Sequence, residues 1–127
     1  MKVIEGGVCA AKGFSANGVH CGIRKNHTKK DLSLIFSSVP GSAAAVYTTN
    51  LVKGAPLTVT KKHLSNGIAQ AVICNSGNAN TCNANGAEIA QQTCALLADA
   101  MKINADDVVV ASTGVIGQPL SIDPIAA

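Results

Sequence analysis

The chain has 127 residues, 47% of them hydrophobic, 2% aromatic and 13% charged, with a formal net charge of +3. That length predicts a single domain over 1–127, and a charge content well below the usual ~25% argues that much surface is covered by a partner subunit or by more of the same protein. Met1-Lys2 leads straight into Val3 and Ile4 with no signal-peptide pattern, and no apolar run nears the ~20 residues of a membrane span, so the expectation is a cytoplasmic protein with no membrane partner.

In chain order, Asn17-Gly18 reads as a hairpin turn, since both residues accept positive φ, with short strands around Cys9-Ala10 and over 19–23. Residues 31–39 alternate as a strand stopped by Pro40-Gly41. Residues 43–49 read as another strand, paired with the first through Pro40-Gly41-Ser42. The stretch 55–64 is ambiguous: Pro56 opens a helix with Leu57, Thr60 and Leu64 on one side, or 57–60 is a strand. Residues 68–74 are short, apolar and a buried strand. They run into Asn75-Ser76-Gly77-Asn78-Ala79-Asn80, a polar loop. Residues 87–101 are the clearest helix, with Ile89, Ala90, Thr93, Cys94, Leu97, Ala100 and Met101 at spacings of three and four and Asn85 as its cap. A β-branched strand follows from Val108. An antiparallel front half and a strand–helix–strand unit over 68–111 predict an α/β fold of the α+β, mixed-sheet kind. At the end, Ser121 and Pro124 look like the start of a helix that then stops. The expectation is therefore a fragment of a longer subunit, with a disordered tail as the alternative.

Five cysteines without a C-x-x-C pair predict reduced thiols and no metal site. Cys74 and Cys94 read as small core residues. His20-Cys21 suggests a base beside a thiol, but neighbours on a strand point to opposite faces, which favours packing. Arg24, Lys25, Lys29 and Lys30 cluster around His27. Without interleaved aromatics for base stacking they read as a solvated loop, and no nucleic-acid partner is expected.

The most informative stretch is 106–123. Two acids lead into Val108-Val109-Val110-Ala111, and the run stops at Ser112-Thr113-Gly114. A strand ending on Thr-Gly can leave a hydroxyl and a backbone N–H at its tip, the donors that stabilise an oxyanion in acyl transfer. A plain strand followed by a glycine turn gives the same pattern.

Five stretches in order resemble the bifunctional ornithine/glutamate acetyltransferase family of arginine biosynthesis, in its N-terminal portion. They are Gly6-Gly7-Val8 with Ala11-Lys12-Gly13-Phe14; Val19-His20-Cys21-Gly22-Ile23; Thr48-Thr49-Asn50 with Val52-Lys53 and Ala55-Pro56; the 75–80 loop; and Ser112-Thr113-Gly114-Val115-Ile116-Gly117. The resemblance implies stacked sheets with helices outside. It also implies a precursor that cuts itself at an Ala–Thr bond, freeing a threonine as nucleophile at the start of a second (beta) subunit. That threonine carries acetyl from N-acetylornithine to glutamate. No cofactor is implied, although some members use acetyl-CoA as co-substrate, and the alpha and beta chains form a hetero-oligomer.

By the same resemblance Thr113 and Gly114 are the catalytic oxyanion pair. From its residues, the 75–80 loop either lines the site or braces the oxyanion loop, or its Asn and Gly satisfy tight backbone geometry and cap the following helix. The family's Ala-Thr-Met-Leu cleavage context is absent, so the nucleophile lies outside this chain, which alone should be inactive. Two alternatives stand beside this reading: a related self-processing, aminopeptidase-type hydrolase, and a non-catalytic basic binding module.

Overall fold

Four strands form one mixed sheet in the order β1-β2-β3-β4: β1 (Phe14–Val19), β2 (Leu32–Ser42), β3 (Ile68–Asn78) and β4 (Val108–Val115). The computed structural model describes residues 3–127, so the Met1-Lys2 start of the leader reading lies outside the described residues. β1–β2 and β2–β3 are antiparallel, whereas β3–β4 is parallel. The helices are α1 (Ala55–His63), α2 (Gly86–Met101) and the short α3 (Asp123–Ala126). The expected α+β mixed sheet is present, and β3-α2-β4 is the unit read over 68–111. A parallel pair needs a crossover, and α2 supplies it.

Sequence pattern explains the helices. In α1, Pro56 sits in the first turn, where its missing N–H costs nothing, and Val59, Thr60 and His63 are buried on one side. That settles the ambiguity of 55–64 in favour of helix. In α2 the buried stripe is Ile89, Ala90, Thr93, Cys94 and Ala98, and Lys102 in the left-handed conformation ends it.

The core is Val59, Ala71, Ile73, Ala90, Cys94, Ala98, Val108 and Val110, with Leu32, Leu34 and Phe36 packed against it. Alanines at the helix–sheet contact let α2 lie close to the strands, which a core poor in aromatics requires. β4 is an edge strand, and α1 covers its unpaired side. The Thr60 hydroxyl donates to Val110 O at 2.9 Å and accepts from Val110 N at 3.2 Å, while His63 Nδ1 donates to Val108 O at 2.9 Å. Buried polar side chains thus satisfy an edge that would otherwise template further pairing.

Several local expectations are corrected. Asn17-Gly18 lies inside β1 instead of forming a turn, and no strand forms over 19–23, because β1 ends at Val19. The Asp31 carboxylate takes the N–H groups of Cys21 and Arg24, giving 20–24 a partner other than a strand. Cys9-Ala10 belongs to a 3-10 helix, Gly7–Ala10, preceded by Gly6 at positive φ. Pro40-Gly41 does not stop β2. A register shift between Phe36 and Gly41 accommodates it, as expected for a proline that has no N–H to pair. Residues 43–49 form no strand. β2 already has β1 on one side and β3 on the other, so a hairpin partner has nowhere to pair. Finally, Asn75-Ser76-Gly77-Asn78 continues β3; the loop begins after it.

Candidate active site

The parallel strands β3 and β4 end side by side at Asn78 and Val115, so β4 runs one residue past the expected stop at Gly114; Ser76 is registered to Thr113 and Gly77 to Gly114, with a register shift at Asn78. In sheets of this kind the carboxyl ends of parallel strands are where sites form. Val108 and Val110 face the core; alternation puts Thr113 on the opposite face, beside Ser76. Thr113 and Gly114 are both exposed, as are residues 115–119. Gly114 has φ +133°, and a Cβ there would fall 2.4 Å from Gly77 C and 2.6 Å from Asn78 N. Both obstacles are backbone, so only glycine lets the two strands close at this point. The two predicted site residues are therefore adjacent, open to solvent and held in place by the neighbouring strand. A hydroxyl so placed can donate to a developing oxyanion.

The asparagines behind the tip act as braces. Asn78 Nδ2 donates to Gln118 O (3.1 Å) and Pro119 O (3.2 Å), and Asn75 Nδ2 donates to Asn78 O (2.9 Å). Asn80 Nδ2 donates to Gly86 O at 2.8 Å at the start of α2, whereas Asn85 makes no side-chain cap. Ala79 N donates to Val115 O and Gly117 N to Thr81 O, both at 2.8 Å. The segment after Gly114 is thus stitched to the segment after β3, while Asn75 and Asn80 also satisfy local backbone and the start of α2.

Sequence reading missed Asp31, which it treated only as the start of a strand. Asp31 is 1% exposed. Its Oδ1 accepts from Cys21 N and its Oδ2 from Arg24 N, each at 2.7 Å, and its main-chain oxygen accepts from Ser76 N at 2.8 Å. Burial alone would raise its pKa, but the Arg24 and Cys21 N–H groups, with the Cys21 thiol and His20, hold it down to about 2. Arg24 then reaches β3: its Nε donates to Ser76 Oγ at 3.1 Å, and its Nη2 donates to the same oxygen. One signal could have found this hub: Asp31 is the only carboxylate between Glu5 and Glu88 and sits beside the basic cluster.

The His20-Cys21 pair is not on a strand. His20 Nδ1 lies 3.3 Å from Asp31 Oδ2, and His20 Nε2 lies 3.1 Å from His27 Nδ1. Burial pushes the Cys21 thiol up, the opposite of nucleophile activation. Cys94 is fully buried in the core, but Cys74 is only half-buried. Among the described residues no group of three His, Cys, Asp or Glu side chains could hold a metal ion, and no helix is long and apolar enough to cross a membrane.

Comparison with known proteins gives one consistent answer. A model of the ArgJ family matches residues 15–127. The arginine biosynthesis bifunctional protein ArgJ of Gloeobacter violaceus is 50% identical over 124 residues, 96% of this chain and 30% of that protein. Its counterpart from Symbiobacterium thermophilum is 46% identical over 129 residues, 100% of this chain and 32% of that protein. Among solved structures, the Bacillus halodurans ArgJ superposes with a TM-score of 0.89 at 46% identity, over 95% of this chain and 63% of that one. The Mycobacterium tuberculosis ornithine acetyltransferase, solved in complex with ornithine, gives 0.84 at 40% identity, over 94% and 65%. The chain thus spans about a third of the length of the curated relatives it matches. Matched motifs in order along the chain, a mixed sheet that superposes on two solved members and a family model covering residues 15–127 place this chain in the ArgJ family.

Proposed function

We propose that this chain is the N-terminal part of a self-processing acetyltransferase that moves acetyl from N-acetylornithine to glutamate, with Thr113 and Gly114 stabilising the oxyanion. The nucleophile is a threonine outside this chain, at the start of a second subunit, where its own α-amine serves as base. Its hydroxyl oxygen bonds to the acetyl carbonyl carbon, the hydroxyl proton passes to the amine, and the carbonyl oxygen takes up negative charge. The Thr113 hydroxyl and the Gly114 N–H are its donors. Collapse expels the amine of ornithine, which recovers the proton and leaves an acetyl ester. The amine of glutamate then attacks that ester, the α-amine passes the proton glutamate loses to the departing threonine oxygen, and the same two donors hold the second oxyanion. Acetyl-CoA is an alternative donor in the first half, and no bound cofactor enters the cycle. The whole protein is a cytoplasmic hetero-oligomer of alpha and beta chains, and this chain alone is inactive.

The observation that carries the reading is an exposed Thr113 beside a glycine that the neighbouring backbone allows no other residue to replace. Support for missing partners comes from apolar side chains left almost bare, with Val46 99% and Leu51 98% exposed. The test is Thr113→Ala in the full-length protein carrying this chain. Losing one such donor costs about 3 kcal/mol of barrier, a drop in turnover on the order of 100-fold. Thr113 is exposed, so folding should be unchanged. Wild-type transfer from N-acetylornithine to glutamate in that variant overturns the assignment.

A further inference from the structure

We infer that Arg24 is a positioning residue for the Thr113-Gly114 tip, acting through Ser76 and Gly77 of the adjoining strand. The inference rests on the proposed role of that tip. Its support is a continuous set of contacts. Asp31 fixes the main chain of Arg24 through Oδ2 and the main chain of Ser76 through its carbonyl oxygen. From that anchor the Arg24 guanidinium spans to β3 and places two N–H groups, Nε and Nη2, on the single Ser76 hydroxyl oxygen. That charge-assisted fork fixes which way the Ser76 oxygen points.

Directly beyond Ser76, the Arg24 chain covers Gly77. A Cβ on Gly77 would meet Arg24 Cγ at 2.8 Å and Ile23 Cγ2 at 3.2 Å, so this residue too must be glycine for the arginine stem to lie down. Gly77 is in turn the backbone against which Gly114 closes, 2.4 Å from where a Gly114 Cβ would stand. The loop and the tip therefore clamp one strand end from two sides, and neither can shift without moving Gly77. Ser76 is registered to Thr113, and registered neighbours share a face at the ~5 Å spacing of adjacent strands. Arg24 thus holds a fixed cation on the face where negative charge is to develop, without needing to touch the substrate. Of the basic cluster read from sequence, this residue alone is drawn into the sheet; Lys25, Lys29 and Lys30 remain exposed.

The test uses the full-length protein with Arg24→Gln, Arg24→Lys, Ser76→Ala and the Arg24→Gln/Ser76→Ala pair, each checked for native circular dichroism and thermal midpoint. A charge-assisted hydrogen bond of this kind corresponds to about tenfold in kcat. The expected result is kcat down about tenfold in Arg24→Gln and Ser76→Ala, KM for N-acetylornithine unchanged, partial recovery in Arg24→Lys, and a pair no worse than the poorer single variant. A lowered thermal midpoint with wild-type kcat assigns the contact to stability alone and overturns the proposal, as does a fall in both variants that multiplies in the pair. Thr113→Ala separates the two levels. If it is inactive while Arg24→Gln turns over normally, only the positioning role fails; if it is active, the oxyanion reading fails with it.

Discussion

Replacing Asp31 by Asn keeps the shape of the side chain and removes its charge. Both carboxylate oxygens of Asp31 are used as acceptors, for Cys21 N and Arg24 N at 2.7 Å, and His20 Nδ1 stands 3.3 Å from Oδ2. An amide group offers one oxygen in place of two, so one N–H must face an NH2 donor. A lost hydrogen bond to a charged acceptor together with a stranded buried donor costs about 3 kcal/mol. The damage is local, so the direct assay is amide exchange in the full-length protein. Cys21 and Arg24 N–H should exchange about 100-fold faster in Asp31→Asn, with α2 unaffected. The pH dependence follows from the same contacts. Asp31 has its pKa lowered from the ordinary 3.8 to about 2 in the native state. A native value below the unfolded one stabilises the fold above about pH 4, and this contribution disappears as the pH falls through about 2. The stability gap between wild type and variant should therefore narrow over that window. Unchanged exchange at Cys21 and Arg24, or a gap that is constant from pH 5 to pH 2, would refute the assignment of Asp31 as the anchor of the 20–24 loop.

Gly114→Ala should both destabilise and inactivate. Its Cβ would strike Gly77 C and Asn78 N in a backbone conformation that L residues rarely adopt, a cost of about 3 kcal/mol, so the thermal midpoint and the turnover of the full-length protein should fall together. Thr113→Ala, by contrast, should lower turnover alone, and a variant pair in which Ala at 114 leaves the midpoint unmoved contradicts the geometry of the strand ends. Cys94 is fully buried, and desolvation, reinforced by Asp106, pushes its thiol up to about 12. Iodoacetamide at neutral pH should label exposed Cys82 and spare Cys94 until the protein is unfolded, as read by peptide mass spectrometry. Equal labelling of the two would sink that expectation.

Local periodicity and residue type carried the elements that bury one face against one neighbour. The α2 stripe of Ile89, Ala90, Thr93, Cys94 and Ala98 needs only a 3.6-residue repeat to declare itself, and the Val108 run needs only β-branching and apolarity. Thr113 and Gly114 were singled out by the matched motifs in order along the chain, since a plain strand followed by a glycine turn gives the same local pattern. The errors cluster where a choice of partner outranks local preference. Asn17-Gly18 has turn chemistry, yet β2 recruits it into a strand; residues 43–49 have strand chemistry, yet both sides of β2 are taken.

The basic cluster beside Asp31 hints at a charged partner, but the carboxylate organises the 20–24 loop only once β1 lies beside β2, and the carbonyl holds Ser76 only once β2 lies beside β3. By itself, then, the sequence determined the kind of elements, the composition of the core and the residues available at the tip, since these depend on side-chain chemistry along the chain. Only tertiary structure decided which strand neighbours which, that β3 backs Gly114, and that Asp31 and Arg24 clamp the strand end. Those outcomes depend on contacts between segments tens of residues apart, where a buried charge or a missing Cβ matters only once its neighbour has arrived.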